Sequence, residues 1–250
     1  MFLSSYFKEL VKAKARQLGI KICRITWRDL HPFEIIKDLS DNDIATILDV
    51  GANVGQTALE LVDRFPNARI HSIEPFPEAY ELLRKNTELF PRIITHQLAF
   101  GASEGEQPLY INSKNETNSL LKTSVHLDNY IPSEWCVPKG AVEVPVCTIG
   151  SFCKKQGIAK IDILKIDTQG YELKILEGAL SMLSPERIRF LFMEVLFVPL
   201  YEGQPYFDEI VLLLRKHGYK LHGLYEITAS VQDGFRWADA LFIGKVSDKS

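Results

Sequence analysis

The stretch Ile47-Leu48-Asp49-Val50-Gly51-Ala52-Asn53-Val54-Gly55 decides how the chain folds. The apolar run from Ala45 to Leu48 reads as a buried parallel strand. An acid closes it, and a glycine-bracketed turn leads into a helix over residues 56–64, with Ala58, Leu59, Leu61, Val62 and Phe65 facing inward. Strand, Gly-rich turn and helix together present free backbone N–H groups and a helix N-terminus to a ligand. Gly51 permits the tight turn, and Gly55 lets the helix approach strand and ligand.

The pattern is G-x-N-x-G, which lacks the G-x-G-x-x-G spacing of a dinucleotide turn. Asp49 stands just ahead of the first glycine, where a carboxylate repels a diphosphate but suits a ligand carrying an ammonium and a sulfonium. S-adenosylmethionine (SAM) is such a ligand. The competing reading is a structural turn with a capping acid. Outward from this turn, Arg69–Ile73 is a second strand ending on Glu74, at the place where a nucleotide-binding α/β unit puts its ribose-binding acid. A carboxylate accepts two hydrogen bonds and so clamps both ribose hydroxyls. The alternative role is a cap for the helix that Pro75-Phe76-Pro77 begins. Phe76 is expected near the adenine, and Ala99 and Phe100, just beyond a third strand at 93–98, are expected to flank it.

Further strands are read at 161–167, 189–195, 219–225 and 238–243, with helices at 148–156, 171–183 and 207–217 between them. This alternation predicts an α/β fold: a doubly wound, mostly parallel seven-stranded sheet, its closing pair antiparallel, with helices on both faces. Residues 103–145 hold two short strands around a polar stretch carrying Asn115, Asn118, Ser119, His126 and Tyr130, and read as an active-site cover. The domain is expected to span 44–250, preceded by a helical extension over 1–43. Its basic helix at 3–24 reads as a docked helix with a solvated face, the sharper alternative being contact with an acidic partner or a membrane surface.

The four strand-end acids Asp49, Glu74, Asp167 and Glu194 share the ligand edge of such a sheet. Like charges in one crevice raise each other's pKa, and a cationic ligand relieves that repulsion. Asp167 and Glu194 are the first candidates to receive a proton from an alcohol acceptor or to orient it, with His126 behind them. Glu172 either points to the same mouth or complements the dipole of its helix. Asp167, Glu172 and Glu194 also form a conceivable divalent-ion trio, a reading set below a metal-free site. Phe197, Tyr201, Tyr206 and Trp237 are either an apolar wall or core.

Composition sets the outer limits. The chain has 250 residues, 46% hydrophobic and 24% charged, with net charge −3, as expected of an ordinary globular domain. Neither that charge nor any basic, aromatic-interleaved segment suggests nucleic acid. The four cysteines lack metal or disulfide spacing, no apolar run is long enough to span a membrane, and the opening residues are too short for a signal peptide. The expected location is the cytoplasm.

With these residues in view, the chain resembles the FkbM family of SAM-dependent methyltransferases from about Thr46 to Phe242. Asp49–Gln56 and Glu74–Pro77 carry the resemblance, with Leu164-Lys165-Ile166-Asp167-Thr168-Gln169-Gly170-Tyr171-Glu172, Leu176–Ala179, Glu194-Val195 and Pro199–Pro205. It implies a class I methyltransferase fold, SAM as donor, and a hydroxyl acceptor on a sugar, glycan or polyketide-type natural product. By position, Asp49, Gly51, Asn53 and Gly55 would hold the methionine part of SAM and Glu74 the ribose, while Asp167, Glu172 and Glu194 would face the transfer site. Gly150 departs from the family pattern, which often has an Asp there, and bears on the acceptor pocket. The other readings are an N-methyltransferase on an amino sugar or peptide, and a SAM-fold module that binds partners without turnover. Nicotinamide-dependent oxidoreduction is disfavoured by Asp49 and the missing glycine.

Overall fold

The computed structural model describes residues 31–244. The basic helix expected at 3–24 lies outside them. Two sheets make up the fold. The larger runs β3(Ile93–His96), β2(Arg69–Ile73), β1(Thr46–Val50), β7(Ile161–Ile166), β8(Ile188–Leu196), β10(Gly234–Gly244), β9(Tyr219–Ser230). From β3 to β8 the strands are parallel, while β10 runs antiparallel to both β8 and β9. This is the expected doubly wound sheet of seven strands with its antiparallel closing pair. The central strands β1 and β7 are buried almost throughout, as parallel strands covered on both faces must be.

Helices cover both faces, α3(Pro77–Thr87) following β2 among them. On one side, α1(Pro32–Leu39) and α2(Gln56–Arg64) bury Phe33, Ile36, Ala58 and Leu61 against Ile47, Ile70 and Ile163. On the other, α4(Ile149–Gln156), α5(Glu172–Gly178) and α6(Phe207–Lys216) bury Phe152, Ile175 and Leu214 against Leu48, Leu164 and Leu191. The alternation of Ile47 and Leu48 between these cores is the period of two of a strand. The segment before β1 forms the helix α1, whose Phe33 ring sits 5.2 Å from that of Phe192. Helix α5 is shorter than the pattern over 171–183 suggests. It stops at Gly178, and turns through Ala179–Ser184 bury Met182 and Leu183 instead.

Ala99 and Phe100, placed just beyond the third strand, form a two-residue strand of their own, β4. It pairs with β6(Pro138–Cys147), and β6 with β5(Gly105–Asn112), giving a second sheet of order β4-β6-β5. Residues 103–145 are thus an antiparallel pair whose connection, 113–137, crosses the C-terminal edge of the main sheet. That connection is fastened to the loop after β8: Ser124 N donates to Leu200 O and Glu202 N to Lys122 O, each at 2.8 Å. Leu121, Tyr130, Ile131 and Trp237 pack there against Leu196, Val198, Leu200 and Tyr201. Among the described residues, no helix is long and apolar enough to cross a membrane.

Candidate functional site

A cleft opens at the C-terminal ends of β1, β2 and β7, beneath the connection. The turn after β1 shapes one end of it. Gly51 has φ +76, and a Cβ there would lie 1.8 Å from Asp167 O, so the two loops approach as closely as backbones permit. Asn53 follows at φ +47, a left-handed position that Asn tolerates better than most residues. Glu74 closes the turn from β2: its Oε2 accepts from Asn53 N at 2.8 Å and its Oε1 from Phe76 N at 2.9 Å. Each oxygen retains a lone pair. Burial pushes this carboxyl up to about 7, against the pull of those two N–H groups. Phe76, Ala79, Ala99, Phe100 and Leu109 supply an apolar wall beside it.

Asp167 stands across that turn from Glu74, on the loop after β7, with 43% of its side chain exposed. Gln169, at φ +57, donates through Nε2 to Asp167 Oδ1 at 3.1 Å and to Glu194 Oε2 at 2.7 Å. Burial raises Glu194 well above the ordinary carboxylate range, and the acids Asp167, Glu172 and Asp239 add to that effect. Asp239, Glu194's register partner on β10, is pushed up to about 7 by burial.

The expected site residues divide. Gly51, Asn53, Glu74, Phe76, Ala99, Phe100 and Asp167 line the cleft, and Asp49, Gly55, Glu172, Glu194 and His126 do not. Asp49 follows the strand alternation away from it: fully buried, it sits in register with Lys165, whose Nζ lies 3.2 Å from Asp49 Oδ1 and donates to Gly51 O at 3.1 Å. Burial raises the Asp49 carboxyl although Lys165 opposes this. Gly55 caps α2. Glu172 Oε1 accepts from Thr168 N at 3.0 Å, Thr168 Oγ1 at 3.1 Å and Gly170 N at 3.3 Å, so it shapes the loop that carries Asp167 and Gln169. Among the described residues, Gln169 is what links Glu194 to the cleft, by a hydrogen bond from its Nε2 to Glu194 Oε2. His126 is exposed on a turn of the connection. Tyr201 is core, whereas Tyr206 is exposed. Gly150 lies outside the cleft, where a Cβ would meet Ser181 Oγ at 2.5 Å.

Sequence reasoning gives Lys165 and Gln169 no role beyond the family motif and passes over Asp239. Lys165 carried a signal, a lysine inside an apolar strand that needs a buried anion; its partner across the sheet depends on strand order. Asn118, placed only in the polar stretch, also lines the cleft. Its Oδ1 accepts from Asn112 N at 2.8 Å, while its buried Nδ2 has no hydrogen-bond partner among the described residues. Among the described residues, no group of three or more His, Cys, Asp or Glu is placed to hold a metal ion.

The model of the methyltransferase FkbM domain matches residues 49–221, from the acid ahead of Gly51 to the start of β9. The chain belongs to the FkbM family of SAM-dependent methyltransferases. It is 26% identical over 176 residues to the 2-O-methyltransferase NoeI of Sinorhizobium fredii, covering 68% of this chain and 70% of that one. It is 25% identical over 198 residues to the 31-O-demethyl-FK506 methyltransferase FkbM of Streptomyces tacrolimicus, covering 69% and 72%. The solved O-methyltransferase from Bacillus cereus in complex with SAH aligns over 97% of this chain and 92% of its own, at 13% identity and a TM-score of 0.48.

Proposed function

We propose that this FkbM-family enzyme transfers the methyl group of SAM to a hydroxyl of a sugar, a glycan or a related natural product. The observation that carries this reading is one cleft with a half-satisfied carboxylate, Glu74, at one end and a second carboxylate, Asp167, at the other. The residues present fit SAM. Glu74 has lone pairs left for two ribose hydroxyls, the Phe76, Ala99 and Phe100 side takes the adenine, and the unpartnered Asn118 amide offers a buried donor. Gly51 and Asn53 bring main chain to the methionine part, with Asp167 nearest the acceptor. Asp49 acts from behind, holding Lys165 and through it the Gly51 carbonyl.

When bound, SAM supplies an electrophilic methyl on a cationic sulfur. The chain's task is then mostly alignment. Asp167 faces the cleft and accepts a hydrogen bond from the attacking hydroxyl, drawing off its proton as the oxygen becomes a nucleophile. Glu194, one amide away, anchors Asp167. The relatives NoeI and FkbM carry O-methyl transfer in their names, which supports an oxygen acceptor here.

Calorimetric titration with SAM and S-adenosylhomocysteine (SAH), with NAD as control, tests the cofactor. Micromolar binding that Glu74→Ala weakens at least tenfold is expected. Binding indifferent to that change would sink the assignment of the cleft. A screen of sugars and natural-product alcohols for methyl transfer then tests the acceptor class, and Asp167→Asn should lower kcat far more than it raises KM.

A further inference from the structure

Gln169 has so far been only a bridge, but its geometry gives it a definite task. Both N–H bonds of its amide are engaged, on Asp167 and Glu194, and its Oε1 accepts from Tyr201 Oη at 2.9 Å. This is the amide orientation in which carboxylates meet donors and the phenol meets an acceptor. Its main-chain carbonyl accepts from Ser119 Oγ at 2.8 Å, and Tyr201 Oη also lies 3.1 Å from Thr117 O. A β-bridge joins Thr123 to Tyr201. Ser119, Thr117 and Thr123 all belong to the connection that covers the cleft. The backbone of Gln169 is left-handed, at φ +57, a position where glycine is at ease and glutamine is strained. The turn itself needs no side chain here; the amide is what a glycine could not supply.

We propose that Gln169 is a positioning residue that fastens the cleft-facing Asp167 to Glu194 and to the cover, so that the transfer end is assembled only when residues 117–123 are seated over it. This rests on the reading of Asp167 as the acceptor-facing group. Its physical content does not need the acceptor, because the bridge acts on Glu194 directly. Glu194 faces Lys165 and Asp167 from β7 and its loop, Glu172 from α5, Asp239 from β10 and Tyr201 from its own following loop. Burial and the three acids favour its neutral form. The amide N–H and Lys165 favour its anion. Removing the amide therefore moves the titration of Glu194 upward.

The test uses the full chain labelled with carbon-13 at the glutamate side-chain carboxyl, with Glu194→Gln identifying the resonance. Gln169→Met keeps bulk without hydrogen bonds, and Gln169→Gly relieves the backbone as well. Both should raise the midpoint of the Glu194 titration by about one pH unit. Tyr201→Phe should raise it less. Hydrogen exchange over residues 117–123 should quicken several-fold in all three. If Glu194 titrates as in the wild type in both Gln169 variants, or if exchange there is unchanged, Gln169 is merely a turn residue and the inference falls. SAH calorimetry on the same samples separates the two readings. Wild-type protein that fails to bind SAH overturns the proposed function, yet leaves the titration and exchange results to decide on Gln169.

Discussion

At the Glu74 end of the cleft, the parts are close in sequence: Gly51, Asn53, Glu74 and Phe76 come from two consecutive strand–turn–helix units. At the Asp167 end, Asp167 and Gln169 follow β7, Glu194 ends β8, Tyr201 lies beyond it, and Ser119 and Thr117 arrive from the connection. The first end is held largely by main-chain hydrogen bonds and close backbone approach, the second by side chains bridging between elements. Backbone devices tolerate almost no substitution at the glycine and much elsewhere. Side-chain bridges spread the cost, so each member is removable at moderate expense. On the proposed reading, the donor lies at the backbone-built end and the acceptor at the side-chain-built end.

The sharpest way to break this contrast is Gly51→Ala. Its Cβ would lie 1.8 Å from Asp167 O, at a φ of +76, so a loss of more than about 4 kcal/mol of stability is expected by urea denaturation. Gly203→Ala is the control: φ is +73 but nothing lies within 4 Å, so only the left-handed strain of about 1 kcal/mol should appear. Equal losses at both positions would show that close approach contributes nothing. Next comes Lys165→Met, which strands the buried Asp49 carboxylate and should cost about 3–5 kcal/mol. Adding Asp49→Asn should recover much of that, as a double-mutant cycle would show. Tyr201→Phe, on the side-chain-built end, leaves Gln169 Oε1 short of a donor and should cost about 2 kcal/mol.

These differences also explain what could be read without coordinates. The β1 turn and the strand-end position of Glu74 are legible because strand, glycine spacing and terminal acid are local signals, and the sheet follows from the alternation of apolar runs. Asp49 closes β1 where the pattern puts it, but its side chain is not part of the cleft lining. Its position before Gly51 suggested the ligand, but strand alternation and the Lys165 opposite turn it into the sheet. Gln169, Asp239 and Tyr201 had no local signal of this kind: their partners are fixed by the order β7-β8-β10 and by a connection whose polar pattern has no period. His126 illustrates the converse, a residue chosen for its chemistry that the fold leaves on an exposed turn.

The smallest expected effect concerns pH, and it sets the two ends apart without disturbing either. On the proposed reading of Glu74 as the ribose carboxylate, this group, pushed up to about 7 by burial, must be ionised to accept from two hydroxyls while its loop N–H groups stay bonded. SAH affinity should therefore rise about tenfold between pH 6 and 8 and then level off, since a group with that pKa is about nine-tenths protonated a unit below it. Glu74→Gln should bind more weakly and lose this part of the pH dependence. The free protein should show the opposite linkage. A carboxyl raised in the fold contributes stability below its unfolded value of 4.5 that is lost as pH rises towards 7. Relative to Glu74→Gln, the wild-type melting temperature should thus fall across that window, and saturating SAH should counter the fall by engaging the anion. A wild-type affinity flat from pH 6 to 8 would mean that Glu74 is already ionised in its nest of N–H groups, making the main chain, rather than burial, the dominant influence at this end of the cleft.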